Sequence, residues 1–196
     1  MKTLTSTETA RRAMIDSQLR TSGVNEPFVL ARMAAVPRED FVPAVSRETA
    51  YIDRAIPLEN GRRLAAPLFY GMMLAEAQPQ PDDTALVVDS GSGYLAELLR
   101  PLVGSVDIIT PEEALLKSRK TAAYSLLLVD GAAEELPGSL TKRLADGGRV
   151  LTGLVVKGVT RLAVGRKTAG GVALLPLAEL GIPRLSEFDR AASWSF

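Results

Sequence analysis

Two stretches carry residue types at spacings that chemistry could use. Residues 86–94 read LVVDSGSGY: an apolar run ends on Asp89, Gly91, Ser92 and Gly93 follow, and LAELLRPLV continues with helical spacing. A strand that turns through glycines into a helix has the form of a nucleotide-binding loop, although an aspartate stands where such a loop ordinarily has its first glycine. The bland use of that aspartate is as a helix N-cap or turn former. Asp130 ends a second apolar run in YSLLLVDGAAEE, where the following Gly131 suits a simple turn. In AYIDRAIP the side chain of Asp53 can anchor a turn, and Arg62-Arg63 reads as a solvated pair. The chain has no histidine and no cysteine, so the commonest general base, the commonest metal ligand and all thiol chemistry are missing.

The elements that must position these residues fall into two parts. In the first 50 residues, Met14, Ile15 and Leu19 form one helical stripe, and Val29, Leu30, Met33 and Val36 form another that Pro37 ends. Residues 50–63 suggest a short extended piece and a turn at Asn60-Gly61, and 66–78 has helical period with Pro67 near its start. From Pro79 onward, apolar runs at 85–89, 105–110, 124–130 and 148–156 alternate with expected helices at about 94–103, 111–122 and 134–145. Near-continuous apolar strands of this kind belong to a parallel sheet covered on both faces. Segments 160–167 and 171–180 flank Ala169-Gly170-Gly171 and read as an antiparallel hairpin. The expectation is a doubly wound α/β domain over 79–196 with an N-terminal helical cap over 1–78, forming one compact unit. Trp194 and Phe196 are expected to pack the C-terminal tail onto the body.

Composition narrows the function classes. Lys plus Arg and Asp plus Glu number 23 each in 196 residues, so no net field invites nucleic acid or an anionic membrane. No apolar run approaches the roughly 18 residues of a membrane span, and the N-terminus lacks a signal-peptide core, which makes a cytoplasmic protein the expectation.

DSQLR (16–20), VLARMAAVPREDFVP (29–43), AYIDRAIPL (50–58), the GSGY loop (91–94), VDGAAEELP (129–137) and LADGGRV (144–150) together resemble the protein-L-isoaspartate O-methyltransferase family, in the family's order. The resemblance implies a Rossmann-like fold and transfer of a methyl group from S-adenosylmethionine to the side-chain carboxylate of an isoaspartyl residue in a damaged protein. A carboxylate with an ordinary pKa near ~4 is already ionised at neutral pH, so this chemistry needs no histidine. Asp53 then matches the family's substrate-side aspartate.

The same resemblance locates departures. The acidic position of the family's loop falls on Val87, and its first glycine on Asp89, whose side chain and charge crowd the place of the cofactor's own carboxylate. The residue that takes both ribose hydroxyls falls on Thr110, with Glu112 and Glu113 just beyond. One strand and its crossover, which complete the adenine site, are missing between 111 and 124. The serine of the substrate loop is replaced by Ala65. These changes imply a methyltransferase-like fold missing one βα unit that has lost S-adenosylmethionine and acts as a binding or regulatory module for a protein or peptide. Asp89, Gly91, Ser92, Gly93, Thr110 and Asp130 mark its cleft, and Asp53 and Arg62 its rim. The alternatives are an active isoaspartyl methyltransferase with a weak cofactor site, and a structural subunit. With the strand missing, 105–110 is expected at the sheet margin, shielded by the helix expected at 111–122 or paired with a second chain in a homodimer, with Asp107 as the charge that discourages random pairing.

Overall fold

The computed structural model describes residues 5–59 and 61–190, so the expected role of Asn60 in its turn and the packing of Trp194 and Phe196 lie outside the described residues. The N-terminal cap opens with α1 (Ser6–Met14), whose Thr5 and Glu8 form a capping box. A π-type turn at Ile15–Leu19 buries Leu19 and leads to α2 (Pro27–Ala35), which buries Val29, Leu30 and Met33. Val36 is extended ahead of Pro37, as the proline requires of the residue before it. The short strands β1 (Ile56–Pro57) and β2 (Arg63–Leu64) pair antiparallel, and α3 (Pro67–Ala77) follows with proline in its first turn.

The sheet is built from β3 (Thr84–Val88), β4 (Ser105–Ile109), β5 (Tyr124–Ala133), β6 (Leu144–Val156), β7 (Val159–Thr168) and β8 (Gly171–Glu179). Their spatial order is β4-β3-β5-β6-β7-β8. The first four are parallel, and β6, β7 and β8 continue antiparallel as the expected C-terminal hairpin. This is a mixed α/β fold with a mostly parallel sheet, and β4 stands at its margin. Alternation along the strands explains their unbroken apolar runs. Ala85, Val87, Leu126, Leu128 and Leu151 enter one core with the cap and α3, while Leu86, Val88, Leu127, Val129 and Val150 enter a second on the opposite face. The first core runs without interruption from Met14 to Ile182, so cap and sheet share it.

Two crossovers differ from expectation. The helix expected at 111–122 is α5 (Pro111–Leu115) alone, and Leu116 is already extended. The Arg143 guanidinium donates to the carbonyls of Glu113 and Leu116 at 2.8 Å, which satisfies the helix end where more helix would have done so. The helix expected at 134–145 is α6 (Gly138–Thr141). Before it, the amides of Glu134 and Glu135 donate to the Phe188 carbonyl, a tertiary partner that takes the place of helical bonds. The helix expected at 94–103 is α4 (Tyr94–Leu99) followed by a 3-10 turn.

A buried cation ties the cap together. Arg38 is completely enclosed, with its guanidinium over the rings of Tyr70 at 5.6 Å and Tyr94 at 5.2 Å. Its Nε donates to the Ala50 carbonyl at 2.7 Å and an Nη donates to the Ala65 carbonyl. The neighbouring Tyr51 hydroxyl accepts from the Arg38 amide and from Arg11, and donates to Glu39.

Candidate functional site

β3 releases the chain at Val88, and the Asp89 amide donates to the Ile109 carbonyl at 2.9 Å, which pins the end of β3 to β4. The Asp89 carboxylate then folds back over the loop. Its two oxygens accept from the Gly91 amide at 2.8 Å and from the Gly93 amide at 3.0 Å. Both glycines have positive φ, +103° at Gly91 and +74° at Gly93, which is the backbone a side chain would strain. Gly93, not Asp89, occupies the N-cap position of α4. The N-cap reading of Asp89 is therefore corrected, because the turn of glycines places the aspartate four residues ahead of the N-cap and leaves it to close the turn. The Ser92 hydroxyl accepts from the Tyr94 amide at 3.2 Å.

Beneath the loop lies Asp130, only 2 % exposed. It does not end its strand. β5 runs on to Ala133 through a register shift between Leu128 and Ala132, and the irregularity turns Asp130 inward, so the simple-turn reading is corrected. One oxygen accepts from the Tyr70 hydroxyl of α3 and the other from the Ser90 hydroxyl of the loop, each at 2.8 Å. Burial pushes the Asp130 carboxyl up to about 6 against the help of the Tyr70 hydrogen bond, and the Asp89 charge adds to the rise. Burial also holds the Tyr70 phenol well above its ordinary value, so it stays a donor.

On the far side, Thr110 caps α5. Its hydroxyl accepts from the Glu113 amide at 3.2 Å, and the Glu113 carboxylate accepts from the Thr110 amide at 2.8 Å. Thr110 and Glu113 are thus joined to each other. Arg62 reaches across from the β1–β2 turn to Glu112 and, at 2.9 Å, to Glu187. It is not a free solvated side chain, since carboxylates 50 and 125 residues away hold it. Arg62, Asp89, Gly91, Ile108, Thr110 and Glu112 line a cleft of about 370 Å³. A second cleft of about 300 Å³, bounded by Phe41, Pro43, Leu58 and Glu59, meets it at Gly91.

The remaining expected residues lie apart. Asp53 is exposed beside a separate cleft of about 190 Å³ with Leu68, Phe69 and Leu180. Among the described residues its carboxylate makes no hydrogen bond or ion pair that would anchor a turn. Ala65 is buried, and its amide donates to the Tyr70 hydroxyl at 3.2 Å. A hydroxyl therefore stands beside Ala65 after all, but it belongs to Tyr70 and is committed to Asp130. Tyr70, Ser90, Arg38 and Glu187 are the site residues that the sequence reading missed. Tyr70 sits in the helical run APLFYGMM, where its pattern is that of a core residue, and Ser90 was within the quoted loop but carries no spacing of its own. Among the described residues no cluster of acidic side chains has the form of a metal site, and no helix is long and apolar enough to cross a membrane.

A mostly parallel sheet in which β3, one strand in from the margin, opens through a glycine turn into α4 beneath a helical cap has the architecture of a Rossmann-like methyltransferase fold. The sequence model of protein-L-isoaspartate(D-aspartate) O-methyltransferase (PCMT) matches residues 9–115, and the chain belongs to that family. Protein-L-isoaspartate O-methyltransferase from Methanoregula boonei is 32% identical over 165 residues, covering 72% of this chain and 76% of the relative. The protein of that name from Koribacter versatilis is 32% identical over 184 residues, covering 82% and 83%. In structure, the chain is similar to a Plasmodium falciparum PCMT protein crystallised with S-adenosyl-L-homocysteine, with a TM-score of 0.67 and 18% identity over 94% of this chain and 100% of the other. At that identity the likeness speaks for the fold.

Proposed function

We propose that this PCMT-family chain has lost S-adenosylmethionine binding and acts as a binding or regulatory module toward a protein or peptide, through the cleft lined by Asp89 and Thr110 above Asp130, with Arg62 at its edge. The observation that carries the reading is the Asp89 carboxylate, which already takes the amides of Gly91 and Gly93. An amino-acid carboxylate arriving there would meet a fixed like charge and donors already in use. Thr110 offers no carboxylate for ribose hydroxyls, Glu113 is spent on its capping box and Glu112 on Arg62. Charge-assisted bonds of that kind are worth roughly 1.5 to 3 kcal/mol each, so losing a pair weakens binding by on the order of 100-fold or more. β4 is also the last strand of the sheet, which leaves the adenine side open.

The second reading is an active isoaspartyl methyltransferase with a weakened cofactor site. Family membership favours it, together with the S-adenosyl-L-homocysteine held by the structural relative. In that case the chain's own contribution is to orient an already ionised substrate carboxylate, with no general base required. Titration calorimetry with S-adenosylmethionine and S-adenosylhomocysteine separates the two. Silence at millimolar ligand supports the module. Saturable heat, with the stabilisation of roughly 2.7 kcal/mol expected at 100 times the dissociation constant, supports the enzyme. Asp89→Gly frees both loop amides and is the variant expected to gain heat first.

A further inference from the structure

Asp130 has an unusual setting. It is a buried carboxyl group joined to two different elements by neutral hydroxyls, and among the described residues no cation is hydrogen-bonded to it. The two hydroxyls come from different kinds of element: Ser90 lies between Asp89 and Gly91 in a turn of two positive-φ glycines, whereas Tyr70 belongs to α3 and the first core. Three groups that carry or acquire charge face the carboxyl. Asp89 on the loop opposes its ionisation, Arg38 from the 38–41 turn favours it, and the Tyr70 phenol of α3 donates to it without titrating in the ordinary range. From the C-terminal segment the neighbour is apolar, since Leu185 packs directly against Gly131.

We propose that Asp130 is a proton-sensitive latch for the glycine loop: protonated, it holds Ser90 and keeps the 89–93 turn closed over β5, and ionised, it favours a loop that swings away and admits water. The hydrogen bonds balance in both forms. An ionised Asp130 accepts from Ser90 and Tyr70, while a protonated one accepts from Tyr70 and donates to the Ser90 oxygen. What changes is the burial of charge, which an open loop relieves. The direction follows from linkage. The closed state holds the proton more tightly than a solvated aspartate does, so acidification closes the loop and alkalinity loosens it. The latch concerns the loop's own closure and stands whether or not a nucleoside binds in the cleft.

Amide hydrogen exchange of residues 90–93 in the full chain, expressed as protection factors so that the intrinsic pH dependence of exchange is removed, reads the loop directly. With a closed-state value of about 6 and an ordinary aspartate value when open, protection in the wild type should fall about tenfold from about pH 5 to about pH 8. Asp130→Asn should flatten that profile. Ser90→Ala leaves the carboxyl buried and removes a hydrogen bond that favours its ionised form, so it should keep the slope while lowering protection at every pH. A wild-type profile without slope overturns the latch. So does an Asp130→Asn variant with an unchanged slope, or a Ser90→Ala variant whose loop is protected as fully as the wild type's at every pH.

Discussion

The cap and the cleft rim are both polar, but they satisfy their polar groups over different distances along the chain. Around Arg38 the partners lie far apart in sequence: Arg11 reaches Tyr51 and Glu39, and Arg38 reaches Ala50 and Ala65. At the loop and the start of α5 they are local, since Asp89 bonds residues two and four ahead and Thr110 closes a box with a residue three ahead. Long-range bonds hold a fold in register. Local bonds only shape the segment that makes them. The contrast teaches that the scaffold half of this family architecture is kept by contacts the fold depends on, while the donors of the cleft are turned back on their own loops. Arg62 is the exception on the rim, a long-range contact that crosses the cleft instead of supporting a core.

The sharpest way to break this comparison is Arg38→Met. It leaves the buried carbonyls of Ala50 and Ala65 without their donor, and each unsatisfied buried acceptor costs about 1 to 3 kcal/mol. A loss of about 3 kcal/mol or more by chemical denaturation is expected, and a loss under 1 kcal/mol would mean that the cap is no more essential than the rim. Next comes Asp130→Asn. A carboxyl whose folded value of about 6 lies above its ordinary 3.8 supports the fold most when it is protonated in both states. That contribution is lost as pH rises from about 4 through about 6, for a total of about 3 kcal/mol from two pKa units. Relative to the wild type, the asparagine variant should therefore gain stability between about pH 4 and about pH 7. Glu39 and Asp83 are held below their ordinary values and act in the opposite sense, but both are unchanged in the variant, so the difference between the two pH curves isolates Asp130. Equal curves would show that water already reaches the carboxyl.

Much of this organisation was legible in the residues, and the reasons are physical. Strands such as LVV and SLLLV announce themselves because both faces of the sheet are covered, and the bend at Pro37 follows from the proline alone. The marginal position of β4 followed from the absent strand. Helix lengths at 111–122 and 134–145 were overdrawn because periodicity cannot see that Arg143 or the Phe188 carbonyl will take the bonds a longer helix would make. In the site, the turn-forming use of Asp89 was readable from its spacing to Gly91 and Gly93. The grip on Asp130 was not, since Tyr70 is 60 residues away and Ser90 is 40, and neither carries a local signal of that pairing. The partners of Arg62 were hidden for the same reason.

Thr110→Ala offers the smallest and most discriminating effect. The residue caps a helix of only five residues at the sheet margin, and removing a threonine cap costs about 1 kcal/mol. Because the box is local, the loss should appear as faster amide exchange in 110–115 with no more than that same ~1 kcal/mol taken from global stability, in contrast to the larger loss expected at Arg38. The Arg143 guanidinium still holds the far end of α5 through the carbonyls of Glu113 and Leu116, which confines the damage to its first turn. A Thr110→Ala variant that unfolds as a whole at markedly lower denaturant would place the Thr110 end of the cleft among the supports of the fold. The division between a long-range scaffold and a self-contained rim would then fail at the position where the cofactor reading depends on it.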